Sequence, residues 1–196
     1  MLWCDYNEFY VMNRIKCIVS YDGSKFHGFQ VQNQFRTVQG EIQKAIKNIC
    51  KDENIVIHAS GRTDAKVHGR RQVFHFDTLR EMPEKQWKRA INHFLPNDIY
   101  IIDSFLVDEN FHSRYSATKK EYHYMLSMND YSPFETNYIY QYGKELDIEA
   151  MRNAAKIFIG EHDFASFVLL INMAIQLEHF IKLKLKIIKV LLLLSL

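Results

Sequence analysis

Little in this sequence announces a cofactor or a compartment. Three cysteines, Cys4, Cys17 and Cys50, are odd in number and far apart, and no CxxC pair occurs. That excludes a disulfide framework and a thiolate zinc site, and it suits a protein with reduced thiols. Three prolines and seven glycines are too few for a collagenous or low-complexity chain. The net charge of +2 does not by itself mark a nucleic-acid binder, so any such signal has to be local. Nowhere is there a lysine-free apolar run long enough to span a bilayer, which predicts no membrane partner. Residues 1–11 carry Asp5 and Glu8 and no basic stretch, unlike a secretory leader. Met12 stands just before the first strand-like run, so 1–11 is expected to be an extension ahead of a natural start at Met12.

What is present is the composition of a folded chain, 47% hydrophobic and 24% charged. Residues 14–20 alternate and stop at Asp22-Gly23, which reads as a strand into a turn. Val38, Ile42, Ala45, Ile46 and Ile49 recur at helical spacing behind Thr37, a suitable N-cap. Residues 55–60 and 72–77 are β-rich runs. Pro83 opens a second helix whose Trp87, Ala90, Ile91, Phe94 and Leu95 share one face, and Pro96-Asn97 ends it. Residues 99–107 form the next strand. The order β-α-β-β-α-β is that of a ferredoxin-like split unit. A second unit begins with a strand at 121–128 and a helix at 147–159, capped by Asp147 and ended by Gly160. The expected class is α+β. Its divisions are an extension (1–11), a first unit (12–107), the start of a second (108–167) and an aberrant hydrophobic tail (168–196).

The chemistry concentrates in one predicted connection, Gly61 to Arg71. Arg62, Lys66, His68, Arg70 and Arg71 surround one acid, Asp64. Connections carry function more often than strands do, and a polyanion would be drawn here. A carboxylate facing arginine stays ionised and can act as nucleophile or base. On spacing alone an ordinary surface turn with a salt bridge is the commoner explanation. Asp64 and His68 also offer a metal pair, but no third ligand stands at a recognisable spacing.

Six segments share a further property. They are Tyr21-Asp22-Gly23-Ser24-Lys25-Phe26-His27-Gly28-Phe29-Gln30 with Thr37-Val38-Gln39; Gly61-Arg62-Thr63-Asp64 with Val67-His68; Asn92 with Leu95-Pro96-Asn97-Asp98-Ile99; Phe111-His112-Ser113-Arg114-Tyr115-Ser116-Ala117; Tyr122-His123-Tyr124; and Gly160-Glu161-His162-Asp163-Phe164-Ala165-Ser166-Phe167. In this order they resemble the signatures of the TruA family of tRNA pseudouridine synthases, over about residues 14–167. The resemblance implies a pseudouridine-synthase fold of two ferredoxin-like units sharing a mixed, mainly antiparallel sheet, the second incomplete here. It implies isomerisation of uridine to pseudouridine in the anticodon stem-loop of tRNA, at positions 38–40, by a cytoplasmic homodimer. Substrate and product are isomers, so no cofactor and no metal are expected.

The same resemblance assigns the catalytic carboxylate to Asp64. It has Arg62 hold the flipped nucleotide and Tyr122 stack on the uracil, a contact worth roughly 1–3 kcal/mol. It makes Phe111, His112, Ser113, Arg114, Tyr115 and Arg70 RNA contacts. His27, His58, His75 and His93 are expected to be structural, and Tyr124, Phe164 and Phe167 core.

Two departures stand out. Lys66 occupies a position where the family has glycine, and a glycine there would suit a positive φ. No arginine follows Arg152, whereas the family continues to a Met-Val-Arg helix whose arginine pairs with the catalytic aspartate. Residues 168–196 contain no glycine or proline and one acid, Glu178. The expectation is a frameshifted or degenerate product, impaired in catalysis and reduced at the extreme to a non-catalytic RNA-binding remnant. A metal-dependent hydrolase built on Asp64 and His68 is the other alternative.

Overall fold

Strand β1, Asn13–Tyr21, buries every second residue: Ile15, Cys17, Val19 and Tyr21. That period of two puts one face of the strand into a core and leaves the other partly wet. The computed structural model describes residues 12–162, 178–180, 182–187 and 190–195. Helix α1 spans Val38–Cys50, with the Thr37 hydroxyl accepting the Gly40 N–H at 3.3 Å and Lys51 closing the end at φ 56°. Then come β2 (His58–Ala59), β3 (Gly69–Thr78), α2 (Glu84–Phe94) and β4 (Ile99–Val107).

These strands form one antiparallel sheet in the order β2-β3-β1-β4, with Cys17 opposite both Phe74 and Ser104. Ile15, Cys17, Val19, Phe74 and Phe76 meet Val38, Ile42 and Ile46 of α1 and Trp87 and Ile91 of α2. Each such side chain stabilises the fold by roughly 1.5–3 kcal/mol on burial. Burial also pushes the Cys17 thiol upward, so it behaves as a small apolar core group rather than a nucleophile.

The predicted run 55–60 yields only a two-residue strand. Ile55 and Ile57 are buried, but side chains of α1 serve the backbone at Ile57. Its N–H goes to Gln43 and its carbonyl receives Gln39. No neighbouring strand is then needed there.

The first compact unit ends at Ala117 and the second begins at Thr118, ten residues past the predicted division after 107. Two anchors account for the difference. Arg14 forks onto Asp77 at 2.7 Å through two nitrogens and donates to the carbonyls of Glu109 and Phe111. Ser113 is buried against His58 and His75.

The second unit contains β5 (Glu121–Ser127), β6 (Tyr140–Gln141), α3 (Ile148–Ala155), β7 (Gly160–His162), β8 (Glu178–Phe180), β9 (Lys182–Ile187) and β10 (Val190–Ser195). One sheet runs β6-β5-β10-β9 and a pair joins β7 to β8. Asp147 caps α3 by accepting the Ala150 N–H at 2.8 Å. The predicted helix 147–159 tightens into a 3₁₀ turn at Lys156–Phe158 before Gly160 at φ 110°. Tyr124, expected in the core, is half exposed, its ring 6.2 Å from that of Tyr140. Phe164 and Phe167 lie outside the described residues. Among the described residues no helix is long and apolar enough to cross a membrane.

Candidate active site

The connection from β2 to β3 has almost no regular structure of its own. Its shape is imposed by the segment that follows β1. Tyr21 is 5% exposed, and its hydroxyl lies 2.9 Å from Thr63 Oγ1 while donating to Gln72 Oε1 at 2.6 Å. Gln72 in turn donates to the Gly61 carbonyl at 2.6 Å. Burial pushes the Tyr21 phenol upward, so it remains a donor at neutral pH. The Phe29 N–H reaches the Thr63 carbonyl at 3.0 Å, and the Lys66 N–H reaches the Phe26 carbonyl at 3.1 Å. The Gly23 N–H donates to His68 Nδ1 at 3.1 Å.

The fit leaves no room for side chains at two points. A Cβ on Gly23 would sit 2.0 Å from the Val67 carbonyl oxygen. One on Gly28, which is at φ 88°, would sit 2.7 Å from that of Thr63. Glycine is needed at 28 for both conformation and approach.

A second layer holds the gripping segment. Arg36 makes a two-pronged pair with Asp98 at 2.7 and 2.9 Å, reaches Glu41 at 2.9 Å and lies over the Phe26 ring. The Asp22 N–H donates to the Asp98 carbonyl at 2.9 Å. Arg36 holds the Asp98 carboxyl below the usual carboxylate range. Asn92 fastens α2 to β4 by bonding both the N–H and the carbonyl of Ile101.

On this support Asp64 opens a turn closed by the Val67 N–H at 3.2 Å. Its side chain is exposed, and among the described residues no hydrogen bond or ion pair engages it. The expected arginine partner is therefore not in contact. Arg62, Arg70 and Arg71 are exposed as well. Lys66 adopts φ 66°, the conformation that the glycine argument anticipated. Among the described residues no group of three His, Cys, Asp or Glu side chains could hold a metal ion.

The segment 111–115 divides in two. Ser113 is 2% exposed; its hydroxyl donates to the His58 carbonyl at 2.6 Å and its N–H to His75 Nδ1 at 3.2 Å. His112 accepts the backbone N–H groups of Arg114 and Tyr115, and its ring lies tilted against that of Tyr115 with centroids 4.4 Å apart. Phe111 is half-buried near Lys16, while Arg114 and Tyr115 are exposed. Tyr122 belongs to the second unit, on β5, and is half exposed.

Tyr21, Thr63, Gln72 and Arg36 are the residues that sequence reasoning left without roles. Their only signal was that Tyr21 and Thr63 fall inside two signature segments. Nothing in a linear reading says that one segment grips the other.

A family profile described as tRNA pseudouridine synthase matches residues 17–116, which contain the whole of this support. The chain belongs to the tRNA pseudouridine synthase family. It is 50% identical over 157 residues to tRNA pseudouridine synthase A of Oceanobacillus iheyensis, covering 80% of this chain and 62% of that protein. Identity is 48% over 157 residues to tRNA pseudouridine synthase A 1 of Bacillus cereus, with 80% and 64% covered. It is 43% over 156 residues to the Anoxybacillus flavithermus protein, with 80% and 63% covered. The chain thus spans less than two thirds of the length of these synthases.

Proposed function

We propose that this chain is a tRNA pseudouridine synthase of the TruA type, with Asp64 as its catalytic carboxylate. Its substrate is uridine in the anticodon stem-loop, at positions 38–40. One observation carries the reading: Asp64 is exposed at the head of a turn whose backbone is held from outside, with Arg62, Arg70 and Arg71 also open to solvent. A turn backbone fixed this way presents Asp64 to solvent without having to rebuild when a nucleotide arrives. Three exposed guanidinium groups suit the phosphates on either side of a flipped base.

In this reading Asp64 acts as nucleophile or base while uracil detaches, turns and rejoins its sugar through carbon. Arg62 supports the flipped nucleotide and Tyr122 stacks on the base. Arg70, Phe111, His112, Arg114 and Tyr115 meet the RNA, and Ser113 anchors that segment from within. The full architecture is two ferredoxin-like units, in a cytoplasmic homodimer. The isomerisation itself consumes no cofactor.

A second reading, a tRNA-binding remnant without catalysis, is favoured by the Asp64 carboxylate, which among the described residues has no hydrogen-bond or ion-pair partner. One experiment separates the two. Purified chain is incubated with tRNA, pseudouridine is mapped, and binding is measured alongside, with Asp64→Ala as control. Modification lost in the variant supports the enzyme. Binding without modification in either protein supports the remnant. Modification that persists in Asp64→Ala removes Asp64 from the chemistry.

A further inference from the structure

We propose that Lys66 is a phosphate-binding residue of this site, taking the RNA backbone next to the nucleotide that Asp64 acts on. The inference rests on the tRNA reading above and adds a residue to it.

The observation is backbone strain in a particular place. Asp64 to Val67 form a turn whose third residue is Lys66 at φ 66°. Such turns favour glycine or asparagine at that position, because a longer L side chain crowds its own backbone at positive φ. The turn cannot relax to suit a lysine. The Lys66 N–H is held by the Phe26 carbonyl, and the Val67 carbonyl is pressed against Gly23. The conformation is therefore dictated by the support, and the lysine is carried at a cost to stability.

Two comparisons within the same chain sharpen the point. Gln34 and Lys51 are the other described non-glycine residues at positive φ. Lys51 closes α1, where a left-handed residue is the ordinary way to end a helix. Gln34 lies in an exposed turn between β1 and α1. Only Lys66 stands two positions from the candidate catalytic acid. Its side chain is exposed, and among the described residues no carboxylate pairs with it. With Arg62 and Arg70 it widens the cationic border of the turn. The chemistry that such a border recognises is a line of phosphates, and a strained residue at a functional turn is where a binding role is to be sought.

The test measures tRNA binding by the whole chain across a salt series of about 50–300 mM, because binding reads the contact even if turnover is slow. The proteins are the natural chain, Lys66→Gly, Lys66→Arg and Lys51→Gly. Lys66→Gly is expected to bind about 3–10-fold more weakly at low salt and to flatten the log–log salt dependence by about 0.7–0.9, the value of one phosphate contact. Its thermal midpoint should hold or rise, since glycine relieves the positive φ. Lys66→Arg should restore the salt dependence. Lys51→Gly removes a lysine of the same conformation elsewhere and should leave tRNA binding unchanged. Binding and salt dependence unaltered in Lys66→Gly would overturn the assignment. An equal weakening in Lys51→Gly would do the same, because the effect would then be one of bulk charge. If the natural chain bound no tRNA at all, the functional reading would fall together with this one, which distinguishes the two failures.

Discussion

The fold should lose stability on mild acidification, and His75 should be the main reason. This histidine is 1% exposed on the face of β3 opposite the helices, with the His58 and His112 rings 5.1 and 4.8 Å away. Its value falls from 6.5 to about 4, first through burial and then through Arg14, His112 and His58, with Asp77 opposing. The direction decides the sign. A histidine kept neutral by the fold binds its proton only after unfolding, so its stabilising contribution is complete above about pH 6.5. That contribution declines as pH drops through this value and stops declining below about pH 4. Between about pH 7 and pH 5 the linkage relation gives a loss of about 2 kcal/mol from this residue alone. The perturbation is His75→Asn, because an asparagine oxygen can still accept the Ser113 N–H but cannot titrate. The assay is urea unfolding followed by tryptophan fluorescence, with Trp87 in the core of the same unit. The variant starts less stable, having lost ring contacts, so the quantity read is the change with pH. The natural chain should lose about 2 kcal/mol more than His75→Asn over that interval. Equal losses in the two proteins would refute the reasoning.

Further expectations concern the support of the turn. Tyr21→Phe removes two hydrogen bonds and leaves Gln72 and Thr63 without that partner, which should cost about 1–3 kcal/mol in denaturant unfolding and lower kcat more than KM. Gly28→Ala should be severely destabilising in thermal melts, because its Cβ meets the Thr63 carbonyl at 2.7 Å. Gly143→Ala, with positive φ but nothing nearer than 4.0 Å, should cost only about 1 kcal/mol. Arg14 and Arg36 hold the carboxyls of Asp77 and Asp98 below the usual range, so their contributions persist above about pH 4 and disappear as pH falls through the lowered values. Asp98→Asn should accordingly flatten the steepest part of an acid-unfolding curve.

The regular elements of the first unit were legible because their signals are local. Period-two alternation of Ile15, Cys17 and Val19 gave β1, spacing and Thr37 gave α1, and the Trp87–Ile91 stripe gave α2. The connection around Asp64 was legible from its charge, and the positive φ at 66 from the glycine that the resembled family carries there. What was not legible depends on partners distant in sequence. The strand expected at 55–60 shrank to His58–Ala59 because glutamines on α1 supply its hydrogen bonds. Ser113 looked like a contact residue and is buried, since nothing near it in sequence reveals His58 and His75. Tyr124 alternates as a core residue would, yet it lies on an exposed row with Tyr140 and Tyr142.

The grip of residues 21–29 on residues 61–68 has a practical consequence for anyone moving this chemistry elsewhere. A synthetic peptide carrying Gly61 to Gly69 would hold the right atoms in no lasting shape, because its conformation is stored in a stretch some forty residues upstream. A transplant onto another scaffold would have to bring both strips, with β1 and β3 keeping them in register, or it would deliver an acid and several cations with nothing to aim them.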